Sequence, residues 1–189
     1  MMNLVPKRLM ICGLLGGLVL IPCHAAMGQC AILDMLRGDF RSPYPDGTVR
    51  RPWYAEGEGK GKHGWILNGS ARFDARYDNV TGWKGLHQSV SLLANKGYEL
   101  TADVRTSPNM REGYLGFRGA GLPKNVVTQF GPQTGFKTVR VPFTPVQAGS
   151  YDVFIGFWAR DKEASIEVAA VRLVRTSGGC EDVHTEPGH

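Results

Sequence analysis

The chain has 189 residues, of which 42% are hydrophobic and 10% aromatic, a length that fits one domain with a full core and is short for two large ones. The 22 Lys and Arg are scattered among 17 Asp and Glu, with a formal net charge of +5. This scatter argues against nucleic acid as the partner and leaves an acidic polysaccharide open.

Residues 1–25 carry the features of a secretory signal peptide. Lys7 and Arg8 precede an apolar run from Leu9 to Ile21, and a small-residue cleavage site follows at Ala25. The apolar run is too short to span a membrane, so we expect no membrane span. We expect cleavage after Ala25, with Gly28 as the alternative, and therefore a secreted or periplasmic protein.

Two cysteines remain after this cleavage, Cys30 near the start of the mature chain and Cys180 near its end. An exported chain meets an oxidising compartment, where two such cysteines favour pairing. We therefore expect a disulfide bond between them that ties the ends of the domain together; in a reducing compartment both stay free thiols. Neither lies in a CxxC motif or beside a histidine, so we expect no metal there.

Alternating apolar and polar residues dominate the segment 86–173 and predict strands. In 98–105, every second residue is apolar, and the residues between are Glu, Thr, Asp and Arg. Turn sequences rich in Asn, Gly, Pro and Ser separate such segments, and no stretch of comparable length has helical spacing. The pattern favours an all-β fold, a jelly-roll β-sandwich of two antiparallel sheets.

The chain divides into three parts in this interpretation: the signal peptide 1–25, one domain over 26–175, and a flexible tail over 176–189 that has glycines, proline and charges without pattern. Within the domain, the segment from Arg51 to His63 is rich in glycine and lysine. Its spacing does not match a phosphate-binding loop, so we predict a mobile surface loop.

Seven short motifs follow one another along the domain: Leu36–Phe40, Pro52–Tyr54, Gly82–Val90, Tyr98–Ala102, Gly113–Arg118, Val153–Trp158 and Val168–Leu173. In their order and spacing they resemble the jelly-roll carbohydrate-binding modules appended to xylanases and cellulases. The resemblance covers roughly residues 33–175, and it implies a non-catalytic β-sandwich that binds sugar.

The resemblance also bears on a structural calcium ion. Family members have an acidic residue just after the Gly-Asp-Phe motif and a pair of aspartates in the closing strand. This chain has Arg41 at the first place and Ala169 and Ala170 at the second. Calcium needs several oxygen ligands, so we expect the calcium site to be lost and no cofactor to be bound.

A sugar ring has a flat C–H face and a rim of hydroxyls, so its site needs aromatic platforms beside polar side chains. Inward-facing Leu115 and Phe117 would turn Tyr114 and Arg118 outward, and Gly116 would leave flat ground beside them. The same argument applies along each strand. The candidate carbohydrate-binding residues are Trp83, His87, Asp103, Arg105, Tyr114, Arg118 and Trp158.

Each candidate also has a purely structural interpretation. For Trp83, packing under a turn fits the sequence as well as exposure in a sugar site does. For Trp158, packing at a core edge fits as well as such exposure. Asp103, Arg105 and Arg118 fit a cross-strand network of charges. The lone histidine among the candidates fits a hydrogen-bonded surface residue better than a metal ligand.

Three functions are open, and the leading one is non-catalytic binding of a polysaccharide or glycoconjugate on an open sheet face. The second is a protein-interaction or assembly module, which an aromatic patch without polar groups at its rim would favour. The third is a polysaccharide lyase or glycosidase, which needs two carboxylates at controlled separation or a base beside charge-neutralising groups. No motif demands an enzyme, so we expect none.

Overall fold

The structure is a computed structural model that describes residues 30–31, 36, 38–41, 43–57, 64–75, 82–119 and 121–176. The predicted signal peptide, the predicted disulfide between Cys30 and Cys180, and the tail beyond Thr176 lie outside these residues or depend on residues outside them. These three remain predictions from the sequence.

Eleven strands account for most of the described residues. Their bounds are β1 Cys30–Ala31, β2 Tyr54–Gly57, β3 Gly64–Leu67, β4 Ser70–Asp74, β5 Trp83–Leu92, β6 Tyr98–Thr106, β7 Met110–Gly119, β8 Val126–Phe130, β9 Lys137–Phe143, β10 Gly149–Ala159 and β11 Ser165–Arg175.

The strands form two antiparallel sheets that pack face to face. The six-stranded sheet has the order β3-β4-β11-β6-β9, with β1 paired to β11, and the five-stranded sheet has the order β2-β5-β10-β7-β8. From β5 to β11 the chain crosses repeatedly from one sheet to the other, so most neighbours in a sheet are distant in sequence, and β3-β4 and β7-β8 are the consecutive pairs among the described strands. This architecture confirms the predicted all-β jelly-roll sandwich.

The core lies between the sheets and follows from the alternation of each strand. In β6, Tyr98, Leu100, Ala102 and Val104 are buried while the residues between them are more exposed. Strand β10 supplies the opposing layer with the buried side chains of Tyr151, Val153, Ile155 and Phe157.

Aromatic rings from both sheets meet in this core. Phe143 of β9 lies 4.6 Å from Phe117 of β7 and 5.3 Å from Tyr151 of β10, measured between ring centroids. These contacts cross the sandwich, so they anchor the inner faces and leave the opposite residues of β7 and β10 facing outward.

The predicted mobile loop from Arg51 to His63 is wrong for its first half. The Trp53 side chain is only 3% exposed and its ring lies 5.7 Å from that of Phe40, in the core. The next four residues form β2, which pairs with β5. The glycines and lysines further along the segment obscured the short alternation of inward and outward residues in β2. Glu58 to His63 lie outside the described residues.

The positions considered for calcium lie near an irregularity of β11. The pairing of β11 with β6 shifts register between Ala169 and Arg172, and Ala170 has a φ of +48°. Arg41 forms an exposed ion pair with Asp39, with 3.4 Å between nitrogen and oxygen. Among the described residues, no three His, Cys, Asp or Glu side chains are grouped so as to hold a metal ion. The described part of the chain also forms no helix that could cross a membrane.

Candidate functional site

The outer surface of the five-stranded sheet carries most of the candidate residues. Because the five strands run antiparallel in register, their outward side chains align in rows across the sheet. We call this surface the aromatic face. Its rows are Tyr54–His87–Phe154–Gly116, Glu56–Gly85–Gly156–Tyr114, Trp83–Trp158–Glu112 and Ser89–Asp152–Arg118.

Trp83 is the centre of a group of four aromatic side chains on this face. Its ring centroid lies 6.0 Å from Trp158, 6.2 Å from Phe154 and 6.4 Å from Tyr114. The rings are tilted or edge-on to one another, at separations typical of aromatic pairs. Trp158 is 40% exposed, so it is the most accessible platform of the group.

Glycines let the Trp83 indole lie directly on the sheet. Gly85 and Gly156 are paired across β5 and β10 beneath it. A Cβ atom on Gly156 would lie 2.6 Å from the Trp83 ring and 2.4 Å from the backbone oxygen of Lys84, closer than atoms can approach. The absence of these side chains therefore creates the flat ground beside the aromatic rings.

Glu56 of β2 organises the polar part of the face. Its Oε1 accepts hydrogen bonds from Trp83 Nε1 at 3.1 Å and from Arg118 at 3.2 Å. Its Oε2 accepts a second bond from Arg118 at 2.6 Å and lies 3.0 Å from His87 Nδ1. One carboxylate thus orients an aromatic platform, a guanidinium and an imidazole at once.

Arg118 extends this network along the face. Its Nε donates to Asp152 at 3.3 Å, and its guanidinium lies 5.4 Å from the centroid of the Phe154 ring. Asp152 also accepts a hydrogen bond from the Ser89 hydroxyl. Three carboxylate oxygens and one aromatic ring therefore hold the guanidinium in a single orientation.

These contacts shift the protonation equilibria of the three charged groups. Burial of the Glu56 carboxylate by itself raises its pKa, but hydrogen bonds from Arg118 and Trp83 outweigh burial and hold the pKa below its ordinary value. The pKa of Asp152 is lowered in the same way, because bonds from Ser89 and Arg118 outweigh burial. The pKa of Arg118 is raised, since its bonds to both carboxylates outweigh its partial burial. All three groups are therefore ionised at neutral pH.

At the β2 edge of the face, Tyr54 provides a further platform. Its ring stacks on His87 with 5.4 Å between centroids and 14° between planes, and 42% of its surface is exposed. The guanidinium of Arg51 lies 5.3 Å from the same ring. At the opposite edge, Gln129 donates to Glu112 at 2.9 Å.

The structure brings five of the seven predicted residues together: Trp83, His87, Tyr114, Arg118 and Trp158 all lie on the aromatic face. It places Asp103 and Arg105 on β6, on the outer surface of the other sheet. There Asp103 accepts a hydrogen bond from Thr138 at 2.6 Å, and Arg105 pairs with Glu167. These two residues do not share a surface with the other five.

Among the residues of the face that the predicted set left out are Tyr54, Glu56 and Asp152. The first two lie in the segment predicted to be a loop, where the alternation covers only four residues. Asp152 faces the same way as Trp158, six residues on in the same strand, so strand periodicity alone was sufficient to place it.

Comparisons with known proteins bear on the fold. No protein-family model matches this sequence, and no curated protein matches it. A solved carbohydrate-binding module, CBM4, is similar in structure with a TM-score of 0.57 and 16% identity, covering 75% of this chain and 99% of that one. TmCBM61, solved in complex with β-1,4-galactotriose, has a TM-score of 0.50 and 15% identity, covering 73% and 91%.

An enzyme shares the fold as well. The Stig cyclase Fisc from Fischerella sp. TAU, solved with a pyrrolidinylidene indole, has a TM-score of 0.56 and 15% identity, covering 80% of this chain and 100% of that one. At such identities the likeness is one of fold, and a fold carries many functions. The chain therefore has the jelly-roll sandwich of the carbohydrate-binding modules that its motifs resemble.

Proposed function

We propose that this protein binds a glycan on the aromatic face and catalyses no reaction on it. The observation that carries the proposal is the contact between Trp83 and Glu56, which joins a group of aromatic platforms to a group of oriented charged side chains on one open surface. A sugar polymer needs both kinds of contact side by side, because its rings stack while its hydroxyls form hydrogen bonds.

The exposed surface of the face matches the first requirement. Trp158 and Tyr54 are 40% and 42% exposed, and they stand at opposite parts of the face with glycine-paired backbone between them. Along β5 the rows of Tyr54 and Trp158 are four residues apart, or about 13 Å at a rise of about 3.3 Å per residue. The face therefore offers separate platforms to successive units of a chain.

The polar network matches the second requirement. The Arg118 guanidinium carries more N–H donors than the three that Glu56 and Asp152 accept, so donors remain for a sugar hydroxyl. Because its orientation is already set by these carboxylates, little conformational entropy is lost when a ligand binds.

The protonation states support binding without catalysis. A glycosidase needs a carboxylic acid whose pKa is raised, so that it can protonate the leaving group. On this face the pKa values of Glu56 and Asp152 are both lowered. These carboxylates are therefore suited to orienting cationic and hydroxyl groups, and poorly suited to donating protons.

We also propose that the protein is exported, on the strength of the N-terminal signal sequence, and so meets its glycan in the periplasm or the medium. The intact mass of protein recovered from these compartments tests this proposal. It should correspond to loss of the first 25 or 28 residues, and recovery of the uncleaved chain from the cytoplasm alone would contradict it.

The binding proposal is tested by native gel mobility in gels cast with a panel of neutral and acidic polysaccharides. We expect one or more polymers to retard the protein and Trp158→Ala to abolish the retardation. Trp65→Ala is the matched control, because Trp65 is 36% exposed and lies on β3 of the other sheet. It should bind like the parent.

The other outcomes of this experiment are equally informative. Absence of retardation by every polymer would overturn glycan binding and favour a protein-interaction module on the same face. A fall in the viscosity of a bound polymer during incubation would overturn the non-catalytic assignment and favour a lyase or glycosidase.

A further inference from the structure

A cleft lined by three arginines lies beside the β2 edge of the aromatic face, and the function proposed above does not use it. It measures about 200 Å³, and we call it the arginine cleft. It is lined by Asp39, Phe40, Arg41, Arg50, Arg51, Trp53 and Ile66.

The charges of the arginine cleft do not balance. Asp39 is the one carboxylate among the lining residues, and Arg41 forms its ion pair with it. Within the described part of the chain, Arg50 and Arg51 form no ion pair with any carboxylate. Their guanidinium groups lie instead over tyrosine rings, 5.9 Å from the centroid of Tyr44 and 5.3 Å from that of Tyr54. Two positive charges therefore have no counter-charge among the described residues.

The guanidinium groups that line the cleft are rich in hydrogen-bond donors, because each carries five N–H groups and no acceptor. Arg50 and Arg51 lie over tyrosine rings and bond no carboxylate of the described residues, so their N–H groups are available for charge-assisted bonds to an oxyanion.

Arg51 connects the arginine cleft to the aromatic face. It lines a second cleft of about 270 Å³ together with Tyr54, the exposed platform that stacks on His87. A chain of sugars that stacks on Tyr54 therefore has an arginine within reach of its next substituent. The arrangement of a ring platform beside unpaired guanidinium groups fits a sugar that carries a negative charge.

We propose that the arginine cleft binds an oxyanion substituent, a carboxylate or sulfate, of the glycan held on the aromatic face. The ligand is then an acidic polysaccharide. This inference rests on the proposed function and adds its substrate class. Arg51 and Arg50 supply the charge-assisted hydrogen bonds, and Tyr54 supports the ring of the charged unit.

The experiment compares matched acidic and neutral polymers in affinity gels. Polygalacturonate, alginate and hyaluronan are each run beside their methyl-esterified forms, which keep the backbone and lose the charge, and dextran sulfate beside dextran provides the sulfate arm. We expect a carboxylate or sulfated polymer to bind at least about tenfold more tightly than its uncharged counterpart. Added salt should weaken only the acidic interaction.

Arg51→Gln and Arg50→Gln should each remove most of the difference in affinity between the acidic polymer and its uncharged counterpart. The weaker binding of the uncharged polymer should stay unchanged. Arg140→Gln is the control of equal charge loss, because Arg140 is exposed on the other sheet and pairs with Glu99. Thermal unfolding of each variant shows whether the fold is retained. Loss in the control as well would reveal a general charge effect and overturn the site.

The failures of the two proposals are distinguishable. Equal retardation by acidic and uncharged polymers, lost in Trp158→Ala but kept in both cleft variants, would overturn the arginine cleft and leave glycan binding standing. Retardation by no polymer at all would overturn both.

Discussion

The two sheets of the sandwich present very different outer faces. The outer surface of the six-stranded sheet is crossed by ion pairs: Arg72 bonds Asp74 and Glu167, and Glu167 also accepts from Arg105. The aromatic face of the five-stranded sheet instead combines Trp83 and Trp158 with paired glycines. Both faces contain carboxylates that bind arginines, and on the aromatic face Glu56 also accepts a hydrogen bond from the Trp83 indole.

This difference separates what a sheet needs for solubility from what it needs for binding. Cross-strand charge pairs keep a sheet face hydrated and add a little stability to the fold. Leaving Trp158 and Tyr54 uncovered contributes nothing to folding, because their exposed surface is not removed from water. A face that groups four aromatic rings over paired glycines beside a rigid guanidinium is therefore better explained by a ligand than by the fold, and four predictions can sharpen or break this comparison.

The largest effect is expected from Gly156→Ala. The new Cβ would meet the backbone oxygen of Lys84 at 2.4 Å and the Trp83 ring at 2.6 Å, so the strands or the indole must shift. We expect a loss of about 3 kcal/mol of unfolding free energy, at the upper end for overpacking, together with loss of glycan binding. Denaturant unfolding and tryptophan fluorescence measure both effects. Gly135→Ala is the control, because an added Cβ there has no neighbour within 4 Å; equal stability of the two variants would contradict the close packing under Trp83.

The second comparison pairs Glu56→Gln with Glu167→Gln. Glu56 bridges Arg118 and His87, Glu167 bridges Arg72 and Arg105, and both carboxylates are mostly buried, so each change should cost about 2 kcal/mol through weakened hydrogen bonds to arginine. Glycan binding should be lost only in Glu56→Gln, because Glu56 orients Trp83 and Arg118. Thermal unfolding and affinity gels test this pair. Loss of binding in both variants would show that the two faces are not functionally distinct.

The third comparison concerns Arg118 and Arg105, the two arginines among the binding residues predicted from the sequence. Arg118→Gln removes the bonds to Glu56 and Asp152 and should cost about 1 kcal/mol, with at least about a tenfold loss of glycan affinity. Arg105→Gln removes an exposed pair with Glu167 and should change stability by about 0.5 kcal/mol and affinity not at all. Isothermal titration with the polymer found in the gel experiment measures both, and a loss of affinity in Arg105→Gln would return that residue to the site.

The smallest effect is expected on the pH dependence of stability. Because the pKa of Glu56 is lowered in the folded state, its ionised form stabilises the fold above the ordinary value of 4.5, and this contribution is lost as the pH falls through the folded pKa. Asp152 acts in the same direction below its ordinary value of 3.8. The melting temperature should therefore fall below about pH 4.5, and less steeply in Glu56→Gln. An unchanged slope in that variant would show that the Glu56 network does not titrate with folding.

The sequence by itself determined the class of fold and the direction of most side chains. Alternation is a property of a single strand, so it correctly turned Leu115 and Phe117 inward and Tyr114, Arg118 and Trp158 outward. It also indicated a sandwich, because strand periodicity and turn residues, the two signals that predict this fold, can both be read from short stretches of sequence. The resemblance to carbohydrate-binding modules was confirmed at the level of the fold.

Only the tertiary structure decided which outward residues share a surface. Asp103 and Arg105 obey the same alternation as Tyr114, yet β6 pairs with β11 and β9 in one sheet while β7 pairs with β10 and β8 in the other. Most of these strand partners are distant in the chain, and their choice depends on the packing of the whole core. Glu56 was missed for the same reason, because the four residues of β2 are recognisable as a strand only when β5 pairs with them. That pairing brings the Glu56 carboxylate within hydrogen-bond distance of the Trp83 indole.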